Sequence, residues 1–144
     1  DYFVLHPDGT ATVIEVKNQY LQPRFVETDR YRWIRDAFVS VGWEYLVVTE
    51  LDPQTWQNLA WLSRYRRVTA DPRNIQAALL EACQEPTPLM ELVGKAGDPV
   101  LTIAHLWRLL WTQELIVDIT QPFRSWTFVH PRTESTVGGG LWLP

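Results

Sequence analysis

Proline residues that directly follow a helix-capping side chain divide the second half of the sequence into short segments. This pattern occurs at Asp52-Pro53, Asp71-Pro72, Thr87-Pro88 and Asp98-Pro99. An Asp or Thr side chain there accepts a backbone N–H at the start of a helix, and proline is tolerated in the first turn because its missing N–H would have no partner. The pattern therefore predicts four helices, over about 53–63, 72–84, 88–95 and 99–112.

Two short strands are predicted after the last of these helices, over 115–119 and 125–129, with a turn at Gln121-Pro122. Three helices followed by a two-stranded hairpin is the order of a winged helix. We therefore expect a small winged-helix-like α+β domain over 69–132. The polar, glycine-rich stretch over 133–144 predicts a flexible tail.

The first part of the chain has the pattern of an α/β unit. Apolar residues in 2–5 and 10–17 flank the turn sequence His6-Pro7-Asp8-Gly9, which predicts a β-hairpin. Thr28 marks the start of a predicted helix that ends near Val41, and another strand follows over 43–49. A strand, a helix and a strand in succession favour a crossover with parallel pairing, so we expect an α/β domain over 1–68.

Composition and charge narrow the class of protein. The chain is 46% hydrophobic and 21% charged, which is typical of a globular domain, and no apolar run suggests a membrane span. The lone cysteine, Cys83, excludes an intrachain disulfide and favours a cytoplasmic location. The net charge of -4 argues against a nucleic-acid partner, yet most of the arginines are concentrated in the first half of the chain, at positions 24, 30, 32, 35, 64, 66 and 67.

The residues with the clearest chemical potential are Asp1, Glu15 and Lys17, at the open end of the predicted hairpin. Side chains alternate along a strand, so Glu15 and Lys17 share a face, and antiparallel pairing brings Asp1 to the same end. Two carboxylates can bind a hard cation such as Mg²⁺, and a neighbouring lysine can orient a water or stabilise charge on a phosphodiester. The alternative interpretation is an ordinary salt bridge at the end of a solvated strand.

The segments Asp1-Tyr-Phe-Val, Asp8-Gly9 and Val13-Ile-Glu-Val-Lys17 resemble the D-F-x-V…D-G…x-I-E-V-K core of TnsA-type endonucleases, and W-E-Y-L-V-V-T-E over 43–50 resembles a later strand of that family. The resemblance implies a restriction-endonuclease-like α/β core of the PD-(D/E)xK superfamily, with a mixed sheet and flanking helices. It implies that Asp1, Glu15 and Lys17 are catalytic, and that Asp1, Glu15 and Val16 contact Mg²⁺ or Mn²⁺. It also implies a further acidic residue on a helix before Asp1, so the nuclease core over 1–68 would be N-terminally incomplete.

The same resemblance implies a bacterial cytoplasmic endonuclease that cleaves DNA strands at transposon ends. Its partners would be a DDE transposase (TnsB-like) and a regulator ATPase (TnsC-like). Two alternatives stay open. One is a stand-alone PD-(D/E)xK nuclease of repair or restriction, and the other is a catalytically inactive nuclease-like core that serves as an interaction module.

Secondary candidates are the arginines and two tryptophans. We expect DNA contacts from the arginines at the predicted domain junction, Arg64, Arg66 and Arg67. Arg32 and Arg35 are further candidates for DNA contact, and the alternative is that they lie on a solvated helix face. The predicted helix over 99–112 would be the recognition helix of a winged helix, yet it carries one arginine, Arg108. We therefore expect this domain to bind protein partners, through a surface that includes Trp107 and Trp111.

Overall fold

The structure is a computed structural model that describes residues 1–133. Contacts divide the chain into two compact units, one over Asp1–Leu51 and a second that begins at Asp52. Each unit contains a three-stranded sheet. Most of the tail predicted over 133–144 lies outside the described residues.

The first unit is an antiparallel hairpin joined by helices to a third strand. Its elements are β1 (Tyr2–Leu5), β2 (Ala11–Val16), α1 (Gln22–Val26), α2 (Asp29–Ser40) and β3 (Trp43–Val48). The sheet order is β1-β2-β3, with β1 antiparallel and β3 parallel to β2. The predicted hairpin, helix and parallel pairing are thus confirmed, whereas the short α1 was not predicted.

Helix α2 packs on the sheet through aromatic rings. Thr28 caps it by accepting the N–H of Tyr31 at 3.1 Å. The ring of Tyr45, on β3, lies 5.8 Å from that of Tyr31 and 5.3 Å from that of Phe38. After α2 the chain reverses at Gly42, whose φ of 78° is a conformation that other residues rarely adopt. These contacts define the face of the sheet that α2 covers.

Within residues 52–133, the second unit contains four α-helices and a sheet formed mostly by the strands that follow the last helix. Its elements are α3 (Pro53–Leu62), a 3₁₀ turn (Ser63–Tyr65), α4 (Ile75–Ala82), β4 (Thr87–Pro88), α5 (Leu89–Ala96), α6 (Pro99–Trp111), β5 (Leu115–Val117) and β6 (Phe128–Pro131). The sheet order is β4-β6-β5, and both pairings are antiparallel. Within residues 1–133, no helix is long and apolar enough to cross a bilayer.

The hydrophobic core of the second unit surrounds α6. Leu106, Leu109 and Leu110 are almost completely buried there, and Leu62 from α3 and Val129 from β6 complete the same cluster. Removing such side chains from water is the main favourable contribution to folding. Because Leu62 belongs to this core, α3 folds with the second unit.

That packing changes the predicted domain boundary. The sequence predicted a division at 68/69, after the arginine-rich segment, whereas the compact units divide at Leu51 and Asp52. The physical reason is burial, since Leu59 and Tyr65 also pack against the core around α6. The arginines of residues 64–67 therefore belong to the second unit.

Three of the capping residues act as predicted and one does not. Asp52 and Asp98 accept backbone N–H groups at the starts of α3 and α6. Asp71 also caps a helix, but that helix begins at Ile75, later than predicted, because Asn74 adopts a left-handed conformation before it. Thr87 instead lies in the short strand β4.

The predicted last hairpin is also displaced. Strand β6 spans Phe128–Pro131 instead of 125–129, and strand β5 ends at Val117. Arg124 and Thr127 form a hydrogen-bonded turn immediately before β6, which keeps the earlier residues out of the sheet.

Candidate metal and nucleic-acid sites

Glu15 and Lys17 meet at the end of β2, on the face of the sheet that the helices cover. The Lys17 ammonium forms an ion pair with Oε1 of Glu15, and it lies 4.6 Å from the centre of the Phe25 ring in α1. The hydroxyl of Tyr45 donates a hydrogen bond to Oε2 of Glu15. The predicted pair is therefore in direct contact, and each oxygen of the Glu15 carboxylate has one partner, Lys17 or Tyr45.

The environment keeps Glu15 in its ionised form. Burial by itself would raise its pKa, but hydrogen bonds from Lys17 and Tyr45 and the positive charges of Lys17 and Arg30 lower that pKa below the usual value. Burial and the hydrogen bond to Glu15 raise the pKa of Tyr45, so its hydroxyl remains a donor. An ionised, oriented carboxylate is the form that binds a cation.

Asp1 is placed by the strand register. Tyr2, the first residue of β1, pairs with Ile14, and an extension of this register by one residue would place Asp1 opposite Glu15. The Asp1 side chain is exposed, and among residues 1–133 it forms no hydrogen bond or ion pair with Glu15 or Lys17. The structure thus brings two of the three predicted catalytic residues into contact and leaves the third at the adjacent strand end.

The oxygen atoms available as metal ligands at this site are of the type that a hard divalent cation binds, but they are few. It consists of the carboxylates of Asp1 and Glu15 and the backbone carbonyl of Val16, whose exposed side chain offers no donor. Among residues 1–133, no group of three or more His, Cys, Asp or Glu side chains is gathered as a metal site. Carboxylate and carbonyl oxygens are the ligands that Mg²⁺ takes in proteins, and in this structure the two Glu15 oxygens are already bonded to Lys17 and Tyr45.

The arginines of α2 are mostly paired with neighbouring acids. Arg32 forms an ion pair with Asp29, and Arg35 with Asp36, each at 3.0 Å. These exposed pairs partly neutralise the charges that were expected to contact DNA. Arg30 was not singled out from the sequence, yet its charge acts on Glu15. The parallel β2–β3 pairing was needed to find the role of Tyr45.

The arginines that follow α3 gather on one short turn of the second unit. The Arg64 guanidinium lies 5.2 Å from the centre of the Trp61 ring, and Arg66 bonds to the carbonyl of Ser63. Arg108 of α6 reaches the same turn, where it donates to the carbonyl of Arg66. In the described part of the chain, no carboxylate forms an ion pair with any arginine of this turn or with Arg108. We call the residues 64–67 together with Arg108 the arginine turn.

The two tryptophans expected at a partner surface are largely internal. Trp107 is 8% exposed and belongs to the core, and Trp111 is half-buried against it. Six of the 13 residues of α6 are buried, and the exposed ones are confined to its first three positions, over 99–101, which leaves few side chains to enter a DNA groove. Within residues 1–133, the exposed tryptophans are instead Trp33, Trp43, Trp56, Trp61 and Trp126.

Comparisons of the sequence with family models, with curated proteins and with solved structures found no match.

Proposed function

We propose that this protein is a metal-dependent DNA endonuclease subunit resembling TnsA, which cleaves strands at transposon ends with a DDE transposase and a regulator ATPase. The first unit would be the restriction-endonuclease-like core, and residues 69–132 the winged-helix-like part. The observation that carries the proposal is the contact of the Glu15 carboxylate with Lys17 at the end of β2, with Asp1 directly before the strand residue that pairs with Ile14.

Each residue of this site has a separate task in the proposed reaction. Asp1, Glu15 and the Val16 carbonyl would hold Mg²⁺ or Mn²⁺, which polarises the scissile phosphodiester and lowers the pKa of a bound water. The hydrogen bond from Tyr45 orients the Glu15 carboxylate, as partners of metal ligands commonly do. The Lys17 ammonium places a positive charge where the attacked phosphate becomes more negative.

The element order supports the two assignments of fold. In the first unit, an antiparallel hairpin carries the acidic residues and a helix returns the chain to a parallel third strand. In the second, α4, β4, α5, α6, β5 and β6 follow the order of a winged helix, with the two last strands paired. The buried α6 favours phosphate-backbone contacts through the arginine turn over base reading by that helix.

Metal binding and strand cleavage test the proposal. Calorimetry with Mn²⁺ should show that Glu15→Gln loses binding, while the matched variant Glu44→Gln, on β3, retains it. Lys17→Ala should abolish cleavage of transposon-end DNA in a reaction reconstituted with the partner proteins, because it removes a charge beside the reacting phosphate. Lys95→Ala is the matched control, since Lys95 pairs with Glu91 on the surface of α5.

The results also separate the alternatives. Equal Mn²⁺ affinity in wild type and Glu15→Gln would overturn the metal site and leave an inactive interaction module. Cleavage without either partner protein would favour a stand-alone nuclease of repair or restriction.

A further inference from the structure

A pocket of about 670 Å³ opens in the second unit, beside α3, α6 and the loop before β6. Its aromatic wall is formed by the stacked rings of Trp107 and Phe123, whose centres are 5.5 Å apart. Trp61 stands perpendicular to Trp107, with its ring centre 6.2 Å away. A volume of this size is in the range of sites that bind small molecules.

The pocket is shaped before any ligand arrives. Asn58, buried on α3, donates to the carbonyls of Ile119 and Gln121, each at 2.8 Å. These two hydrogen bonds fix the loop that carries Phe123 against α3. A preorganised wall lowers the conformational cost of binding.

The rim is polar and carries positive charge. The exposed Gln57 amide and Arg124 guanidinium both line the opening. Among the described residues that line the pocket there is no carboxylate, and Arg124 is the charged one. The lining therefore favours a ligand that combines an apolar face, a hydrogen-bonding edge and negative charge.

The pocket is connected to the arginine turn through aromatic contacts. Trp61 forms part of the pocket wall, and its ring also carries the Arg64 guanidinium. Tyr65 connects the two regions further, since its ring contacts those of both Trp61 and Trp107. An aromatic pocket beside arginines that form no ion pair with a carboxylate of residues 1–133 is the arrangement in which proteins hold single-stranded nucleic acid.

We propose that this pocket binds an unpaired nucleobase of single-stranded DNA, with the base against Phe123 and Trp61 and the adjoining phosphates at Arg124 and the arginine turn. The Gln57 amide supplies both a donor and an acceptor to a base edge. An aliphatic peptide side chain would fill the apolar wall but leave Gln57 and Arg124 unmatched. The choice of DNA rests on the proposed function, whereas the recognition of a base and phosphate does not.

Anisotropy of a short fluorescein-labelled oligothymidine, measured with the full chain in EDTA, tests this site. Phe123→Leu keeps an apolar side chain but removes the stacking ring, and it should weaken binding by about tenfold. Arg124→Ala, at an exposed position that does not threaten folding, should weaken binding and flatten its salt dependence. The matched controls are Trp126→Leu and Arg73→Ala, which change exposed residues outside the pocket and should bind as wild type.

Several outcomes would overturn the proposal. One is wild-type affinity in both pocket variants, and another is competition by duplex DNA but not by unlabelled oligothymidine. Binding of a fluorescein-labelled peptide of alternating Asp and Trp residues, with no binding of oligothymidine, would replace the base with a protein partner. If oligothymidine binding depends on Phe123 while the wild-type chain neither binds Mn²⁺ nor cleaves DNA, the nuclease proposal fails and the base site stands.

Discussion

At the scale of single residues, the fold gives Glu15 an environment that the pair Glu15 and Lys17 would not have on an exposed strand. Glu-x-Lys at a strand end is ordinary, and the pattern alone allows a solvated salt bridge. In the fold, Tyr45 approaches the same carboxylate from the parallel strand, and the Glu15 side chain is 16% exposed. The third partner, not the pair, distinguishes this carboxylate from a surface one.

Tyr45→Phe tests that third partner. Removing the hydroxyl should raise the pKa of Glu15 and reduce stability by about 1 kcal/mol, because a hydrogen bond to a partly buried carboxylate is lost. NMR titration of the Glu15 carboxyl group and thermal unfolding measure the two effects. Tyr31→Phe is the matched control, as its ring lies in the same aromatic cluster but its hydroxyl is not bonded to Glu15. An unchanged Glu15 pKa in Tyr45→Phe would contradict the assigned role.

The depressed pKa of Glu15 predicts how stability depends on pH. The unfolded chain binds a proton near the ordinary value of 4.5, and the folded chain does so only at lower pH. The stabilisation is therefore complete above about pH 4.5 and is lost as the pH falls through the folded-state pKa. In Glu15→Gln this contribution is absent, so the stability difference between wild type and variant should shrink on acidification. Urea unfolding of wild type and variant between neutral pH and pH 3 measures this difference in stability. A difference that stays constant over this range would exclude the linkage.

At the scale of elements, the residue at which a helix starts was the most predictable feature. The compact unit to which a helix belongs was the least predictable. The start of a helix can be predicted from its capping residue because the cap bonds to backbone groups within three residues, as at Thr28, Asp52 and Asp98. The late start of α4 depends on the left-handed Asn74, and the shifted β6 depends on a turn at Arg124. The assignment of α3 to the second unit depends on Leu62 meeting residues far along the chain, which no local pattern encodes.

Asn58→Ala tests how α3 is attached. The buried Asn58 amide satisfies two carbonyls of the loop before β6, and its loss leaves both without that donor. We expect the second unit to lose about 1–3 kcal/mol of stability, measured by chemical denaturation. Gln57→Ala, on the exposed side of the same helix, should change stability little. Equal effects of the two substitutions would argue against the loop contacts.

At the scale of the whole molecule, burial is distributed unequally. The large cluster of buried apolar side chains lies entirely in the second unit. In the first unit, by contrast, Ala11 and Tyr45 are the buried apolar residues, and Tyr2, Phe3 and Leu5 of β1 are more than half exposed. The sequence predicted the strands and the charged site of the first unit, because these depend on alternation and short loops. It did not predict this difference in burial, which depends on tertiary packing.

This difference predicts which fragments of the chain fold. A fragment over 52–144 retains Leu59, Leu62 and Tyr65 in its core and should unfold cooperatively. A fragment over 69–144, cut at the boundary suggested by the sequence, lacks all three. Loss of one buried leucine costs about 2–5 kcal/mol, which is comparable with the whole stability of a small domain, so the shorter fragment should lack a cooperative transition. Thermal unfolding and the dispersion of amide NMR signals compare the two fragments. If both fragments unfold with the same midpoint, α3 does not stabilise the second unit, and the domain boundary predicted at 68/69 would be correct.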